Sequence, residues 1–221
     1  MAVARHIRDL PQPVAQLFAD ALRLIHNIEE SGGSNPTWSF GGGTVLMLRH
    51  GHRRSKDIDI FMPDPQYLGY VNPRLSTIAE SITSDYVESA DSIKLILPIG
   101  EIDFIASPNL TPEPFETWDI EGEDVRVETA AEIVAKKMWY RGGRVTARDL
   151  FDLAMIAEEA PEQIEVAAPW FERHKSAFLS QIQTRTALLE AQFNAIDKLA
   201  FDRSYDECLT IVSRILGGRA P

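Results

Sequence analysis

The stretch from Phe40 to Met62 constrains this chain more than any other. It opens on Gly41, Gly42 and Gly43, continues as a short apolar segment, passes through a basic loop and ends on Asp57-Ile58-Asp59-Ile60. In a strand from Asp57 to Met62, alternation puts both carboxylates on one face and both isoleucines on the other. Carboxylates held side by side repel each other unless a cation stands between them. A hard divalent ion such as Mg2+ answers that need, because it takes oxygen ligands and leaves positions open for phosphates. The glycines let the backbone bend sharply and approach a ligand closely. A helix starting near Val45 would aim its first N–H groups at an anion. One stretch therefore offers a phosphate cradle and a metal-binding strand.

A third carboxylate follows from the same logic. Ser92–Leu97 and Glu101–Ile105 read as the two strands of a hairpin around Pro98-Ile99-Gly100. Asp103 lies between Ile102 and Phe104, so it points away from their face. An aspartate there is costly unless it is paired or binds a metal. Glu101 shares its face and is a substitute ligand. The competing reading is an ion pair between Asp103 and an arginine.

Composition sets outer bounds. At 221 residues the chain can hold one large domain or two small ones. No apolar run approaches a membrane span, and the N-terminal stretch carries no secretory signal. Cys208 is the only cysteine, which excludes a disulfide framework and a cysteine-based zinc site. The expected compartment is the cytoplasm. The net charge of −11 argues against a broad nucleic-acid-coating surface. A local basic site remains in Arg49, Arg53, Arg54 and Lys56, which are read as phosphate contacts.

The rest of the chain falls into two domains, residues 1–127 and 128–221. Periodicity predicts a packing helix over 12–30, ended by Gly32-Gly33. A short strand follows at Thr37–Phe40, then a helix over 72–83, a weak strand over 86–90, and an edge strand or hairpin over 119–127. Thr129 and Glu132 have the spacing of a capping box. The helix they open runs to Arg141 and carries Lys136 and Lys137. A second helix starts near Thr146, with Asp149 and Asp152 on one face. Helices over 162–175, 176–199 and 205–216 complete the chain. Trp170, Phe171, Phe178 and Phe193 are read as packing residues.

Gly42-Gly43-Thr44, Gly51-His52-Arg53 and Ser55-Lys56-Asp57-Ile58-Asp59 together resemble the AbiEii/AbiGii toxin group, within the DNA polymerase β-like nucleotidyltransferase superfamily. Arg148-Asp149 with Asp152 extends the resemblance, which covers roughly residues 38–155. It implies an α/β (α+β) nucleotidyltransferase fold with a mixed β-sheet, followed by a helical domain. It also implies transfer of a nucleoside monophosphate from an NTP such as ATP to an acceptor hydroxyl. Asp57, Asp59 and Asp103 would be the catalytic and metal-binding residues, holding two Mg2+ ions, with Mn2+ as an alternative. Gly42, Gly43, Thr44, Ser55, Lys137 and Asp149 would bind the nucleotide. The gapless match puts the family lysine at Lys137, with Lys136 one residue away. The alternative for Lys137 and Arg148 is an ion pair with Asp152. The resemblance further implies tRNA as an acceptor, a toxin–antitoxin or phage-defence role and a cognate antitoxin. Alternatives are a small-molecule or protein acceptor, or a non-catalytic NTP-binding module of the same fold.

Overall fold

The computed structural model describes residues 10–31 and 36–217. The N-terminal stretch and Gly32-Gly33 lie outside the described residues. The chain divides into two compact units. One holds the chain up to Val45 with Ser55–Asn109 and Phe115–Glu128; the other holds Leu46–Arg54, Leu110–Pro114 and the chain from Thr129.

The first unit is built on a mixed seven-stranded sheet. Its strands are β1 (Ser39–Gly41), β2 (Ile58–Met62), β3 (Tyr86–Glu88), β4 (Ser92–Leu97), β5 (Gly100–Ala106), β6 (Phe115–Ile120) and β7 (Glu123–Glu128). They lie in the order β3-β4-β5-β2-β1-β7-β6. β2 pairs with β5, and β1 with β7, in parallel; the other neighbours are antiparallel. Helix α1 (Val14–Glu30) packs against β2 and β5. Its Leu17, Phe18, Ala21, Leu24 and Ile28 are fully buried, as their spacing requires. Each large apolar side chain removed from water here contributes roughly 1.5–3 kcal/mol. Ile58, Ile60, Ile102, Phe104, Ile93 and Leu95 supply the buried face of the central strands. The opposite face is left to the residues between them.

Two local expectations change. The helix expected over 72–83 is only α3 (Thr77–Ile82). Asn72 accepts turn hydrogen bonds from Arg74, Leu75 and Ser76, and Ser76 caps the helix at Ala79. Side chains that bond nearby backbone in this way favour turns over helix. The glycine run makes no separate turn: α2 (Gly42–His50) starts directly after β1. Gly42 has φ +73°, and a β-carbon there would collide with the Asp59 carboxylate. Only glycine meets both demands at once.

The second unit is helical beyond Thr129. It contains α4 (Ala130–Lys136), α5 (Ala147–Glu159), α6 (Pro161–Ala167), α7 (Lys175–Thr184), α8 (Thr186–Asn194) and α9 (Tyr205–Ile215). Phe151 is its centre, with ring contacts to Phe193 at 5.5 Å and Phe201 at 5.2 Å. Cys208 is fully buried. The helix expected over 162–175 ends early, because Pro169 has no N–H to continue it. The helix expected over 176–199 breaks at Arg185 and stops at Asn194. Beyond Asn194 the backbone pairs instead with 51–54: Leu199 N donates to His52 O (2.9 Å), Ala200 N to Gly51 O (3.0 Å) and Arg54 N to Asp197 O (2.8 Å). A segment bonded to a distant strand-like partner cannot also complete a helical ladder.

The capping box at Thr129 is half formed. Thr129 Oγ1 accepts from Glu132 N (3.2 Å), but the Glu132 carboxylate does not reach back. It accepts from Leu110 N (2.9 Å), Thr111 N (2.7 Å) and Thr111 Oγ1 (2.7 Å), and pairs with Lys136 at 3.3 Å. Glu132 is wholly buried, so it fixes the 110–114 loop to the helix that leads into Lys137. Glu132→Ala should lower unfolding free energy by about 3 kcal/mol or more, since it strands buried donors and a buried ammonium. Urea denaturation checks this.

Candidate active site

The residues singled out by sequence fall into two groups, one within each unit. In the first, the sheet register makes a single row: Gly41 opposes Asp59, Asp59 opposes Asp103, and Asp103 opposes Lys94. Residues paired in register project to the same side of a sheet. Asp59, Asp103 and Lys94 therefore share the face opposite the buried isoleucines.

Asp57 lies one residue before β2 rather than in it. β1 ends at Gly41 and offers Asp57 no ladder partner. Its backbone carbonyl instead accepts from the Thr44 hydroxyl (2.5 Å), and its Oδ1 accepts from Glu101 N (3.2 Å). Thr44 is fully buried and lies 3.0 Å from Ser55 Oγ. Thr44 and Ser55 thus brace the backbone between the start of α2 and the start of β2.

Asp103 is partnered by Lys94, not by an arginine. Lys94 Nζ is 2.6 Å from Asp103 Oδ2 and 2.5 Å from Glu101 Oε2. Sequence reasoning passed over Lys94, although a hairpin turning at Pro98-Ile99 already sets it opposite Asp103. Burial pushes the Asp103 carboxyl up, and the negative charges of Glu101 and Asp57 add to this, against the opposing pull of Lys94. Burial acts to lower the Lys94 pKa, but hydrogen bonds and attraction from Asp103 and Glu101 outweigh it and hold it raised.

The donor set of this face fits a hard divalent cation: oxygen ligands only, anionic, and in register on neighbouring strands. Among the described residues no three ligating side chains already surround one point. The carboxylates of Asp103 and Glu101 converge on an ammonium instead.

The second group surrounds Asp152. Arg53 makes a two-pronged contact, Nε to Oδ1 at 2.7 Å and Nη2 to Oδ2 at 2.8 Å. His52 Nε2 lies 2.9 Å from Oδ1, and Lys137 Nζ 2.9 Å from Oδ2. Lys137 also pairs with Asp149 at 2.8 Å, and Arg141 lies 3.7 Å from the same aspartate. Asp149 closes a full capping box with Thr146 at the start of α5. The phosphate contact expected of Arg53 gives way to a structural one: it is 3% exposed and committed to Asp152. Arg148, the other arginine considered for Asp152, is exposed at the start of α5. Lys137 opens a π-helical turn, Lys137–Arg141, a widened turn that often marks functional positions. Lys136 faces Glu132 instead. The two adjacent lysines therefore serve different carboxylates.

Burial would raise the Asp152 pKa, but Arg53 and Lys137, with hydrogen bonds from His52 and Arg53, hold it well below the usual carboxylate range. Burial likewise opposes the raised pKa of Lys137, which Asp149 and Asp152 sustain. Lys137 Nζ thus serves two buried carboxylates at once.

Beside this network a surface pocket of about 440 Å³ is lined by Arg53, Arg54, Arg141 and Arg148, with Asp197 the one acid. Arg53 is committed to Asp152 and Arg54 pairs with Asp197 at 3.0 Å, so Arg141 and Arg148 carry most of the pocket's positive charge.

The depressed pKa of Asp152 fixes a pH dependence. Its stabilisation is complete above the unfolded-state value of about 3.9 and is lost as pH falls from there through the folded value. Asp152→Asn should remove about 3–5 kcal/mol at neutral pH and flatten the acid limb of a stability–pH profile measured by thermal or urea unfolding.

No helix among the described residues is long and apolar enough to cross a membrane. A search of curated proteins finds no match. Among solved structures, the chain is similar to a candidate nucleotidyltransferase from H. pylori, at 17% identity and TM-score 0.50, over 94% of this chain and 96% of that one. JHP933 from Helicobacter pylori matches equally, at 17% identity and TM-score 0.50, over 94% of each. At that identity these likenesses speak for the fold: a mixed sheet with a helical C-terminal region. The family described as nucleotidyl transferase AbiEii toxin, type IV TA system, matches residues 29–214. With that match spanning most of its length, the chain belongs to the AbiEii family of nucleotidyltransferase toxins.

Proposed function

We propose that this nucleotidyltransferase transfers a nucleoside monophosphate from an NTP to a hydroxyl of tRNA, acting as the toxin of a type IV pair with a cognate antitoxin. The observation that carries the chemistry is the row Gly41–Asp59–Asp103, which sets two carboxylates side by side on one sheet face next to the start of α2. Asp57, Asp59 and Asp103 are the residues that would hold Mg2+, which when bound supplies charge stabilisation to the attacking and leaving oxygens. Asp103, beside Asp59 in the row, is placed to take the proton of the acceptor hydroxyl. The acceptor oxygen bonds to the α-phosphorus, the bond to the bridging oxygen breaks, and pyrophosphate leaves. The first N–H groups of α2, from Gly42 and Gly43, offer donors to phosphate oxygens. Lys137 adds a point charge, held in orientation by Asp149 and Asp152.

The arginine-lined pocket supports a polyanionic acceptor over a small neutral one. A local site of this kind is compatible with the acidic net charge, since a concavity does not need a basic protein.

Incubation with each α-labelled NTP, Mg2+ and total tRNA tests the reading. Label should pass to tRNA with the wild type. Asp57→Ala and Asp59→Ala should reduce transfer by more than the roughly 100-fold that loss of an outer-shell partner of a metal site causes. Transfer that survives in the folded double variant overturns the carboxylate assignment. Label passing only to protein or small molecules overturns tRNA.

A further inference from the structure

We infer that Lys94 is a positioning residue that occupies the cation place beside Asp103 and passes to Glu101 when a divalent ion binds. The inference rests on the reading of Asp103 as a metal ligand. Lys94 stands directly opposite Asp103 on the neighbouring strand, in line with Asp59 on the other side. Its ammonium bridges two carboxylates at nearly equal distance, 2.6 Å to Asp103 and 2.5 Å to Glu101. The two seats are unlike. Asp103 is 18% exposed and has the metal-binding strand beside it, whereas Glu101 is 41% exposed at the rim.

Two positive charges cannot share the inner carboxylate without repulsion. A divalent ion arriving at Asp59 and Asp103 therefore has to displace the ammonium. Lys94 need not return to water, because Glu101 already holds it. The arrangement keeps the buried carboxylate neutralised before loading, and it sets metal affinity lower than the bare carboxylates would give. Loading is then favoured when a triphosphate brings further oxygen ligands with the ion.

Mn2+ binding to the full chain without nucleotide, followed by the electron paramagnetic resonance signal of free ion, tests this. Lys94→Met should tighten Mn2+ binding at least about tenfold, since a charge within hydrogen-bond reach of a ligand opposes the ion strongly. The same variant should show a lower melting temperature without metal and a larger rise on adding Mn2+. Lys94→Arg, which keeps the charge, should bind Mn2+ as the wild type does. Glu101→Gln should weaken binding in the wild type but not in the Lys94→Met background. Weakening in both backgrounds would make Glu101 a ligand and overturn its role as the second seat. Unchanged or weaker Mn2+ affinity in a folded Lys94→Met protein overturns the inference alone. If neither wild type nor variant binds Mn2+, the metal-binding reading of the carboxylate row falls with it.

Discussion

A carboxylate removed from water must have its charge balanced by the protein. Asp152 is fully buried, and the second unit is arranged to meet that condition. Arg53 and His52 come to it from a loop about one hundred residues earlier in the chain, and Lys137 from the π-helical turn after α4. The loop is held in turn by backbone hydrogen bonds to residues 197–200. Helix α5, the 51–54 loop, the π turn and the segment after α8 thus depend on one another through a single side chain. Two cations, Arg53 and Lys137, balance two anions, Asp149 and Asp152. Such a network contributes less to net stability than its contacts suggest, because desolvation offsets much of the attraction. What it does fix is position: Lys137 cannot rotate away without leaving two carboxylates exposed to each other.

The sheet of the first unit solves the opposite problem. Its carboxylates are partly exposed and share one face, and Lys94 moderates the repulsion between Asp103 and Glu101. Asp152 is met by two cations and a histidine, whereas Asp103 and Glu101 share one ammonium. A site meant to accept a cation has to retain uncompensated negative charge, whereas a support for a lysine does not. The metal-binding role proposed for the sheet face rests on that difference.

How much of this was legible depended on range. Asp59 and Asp103 could be read because strand alternation is a local rule, and Ile58, Ile60, Ile102 and Phe104 mark the face they avoid. Asp57 was read into the strand because nothing nearby shows that β1 is too short to pair with it. The place of Lys94 was also written in the hairpin register, but an exposed-looking lysine between apolar residues draws no notice unless the register is counted. Pro169 and Pro73 are helix breakers in plain sight, yet the helices expected over 162–175 and 72–83 run across them. The commitment of Arg53 and His52 to Asp152 was not legible, nor was the unwinding of 195–200. Both depend on contacts between segments far apart in the chain, which no window of local pattern contains.

The arginine-lined pocket has a consequence that follows from its surroundings rather than from its lining. The whole chain carries a charge of −11, so the field that a polyanion meets over most of the surface is repulsive. The guanidinium groups of Arg141 and Arg148 oppose that field locally. For the polyanionic acceptor proposed above, such a field would shorten encounters elsewhere on the surface and favour those that meet the arginines. A uniformly basic protein would hold any polyanion anywhere and would have to search along it. For the proposed acceptor, discrimination would then begin during approach, and it would weaken as salt shortens the range of the field.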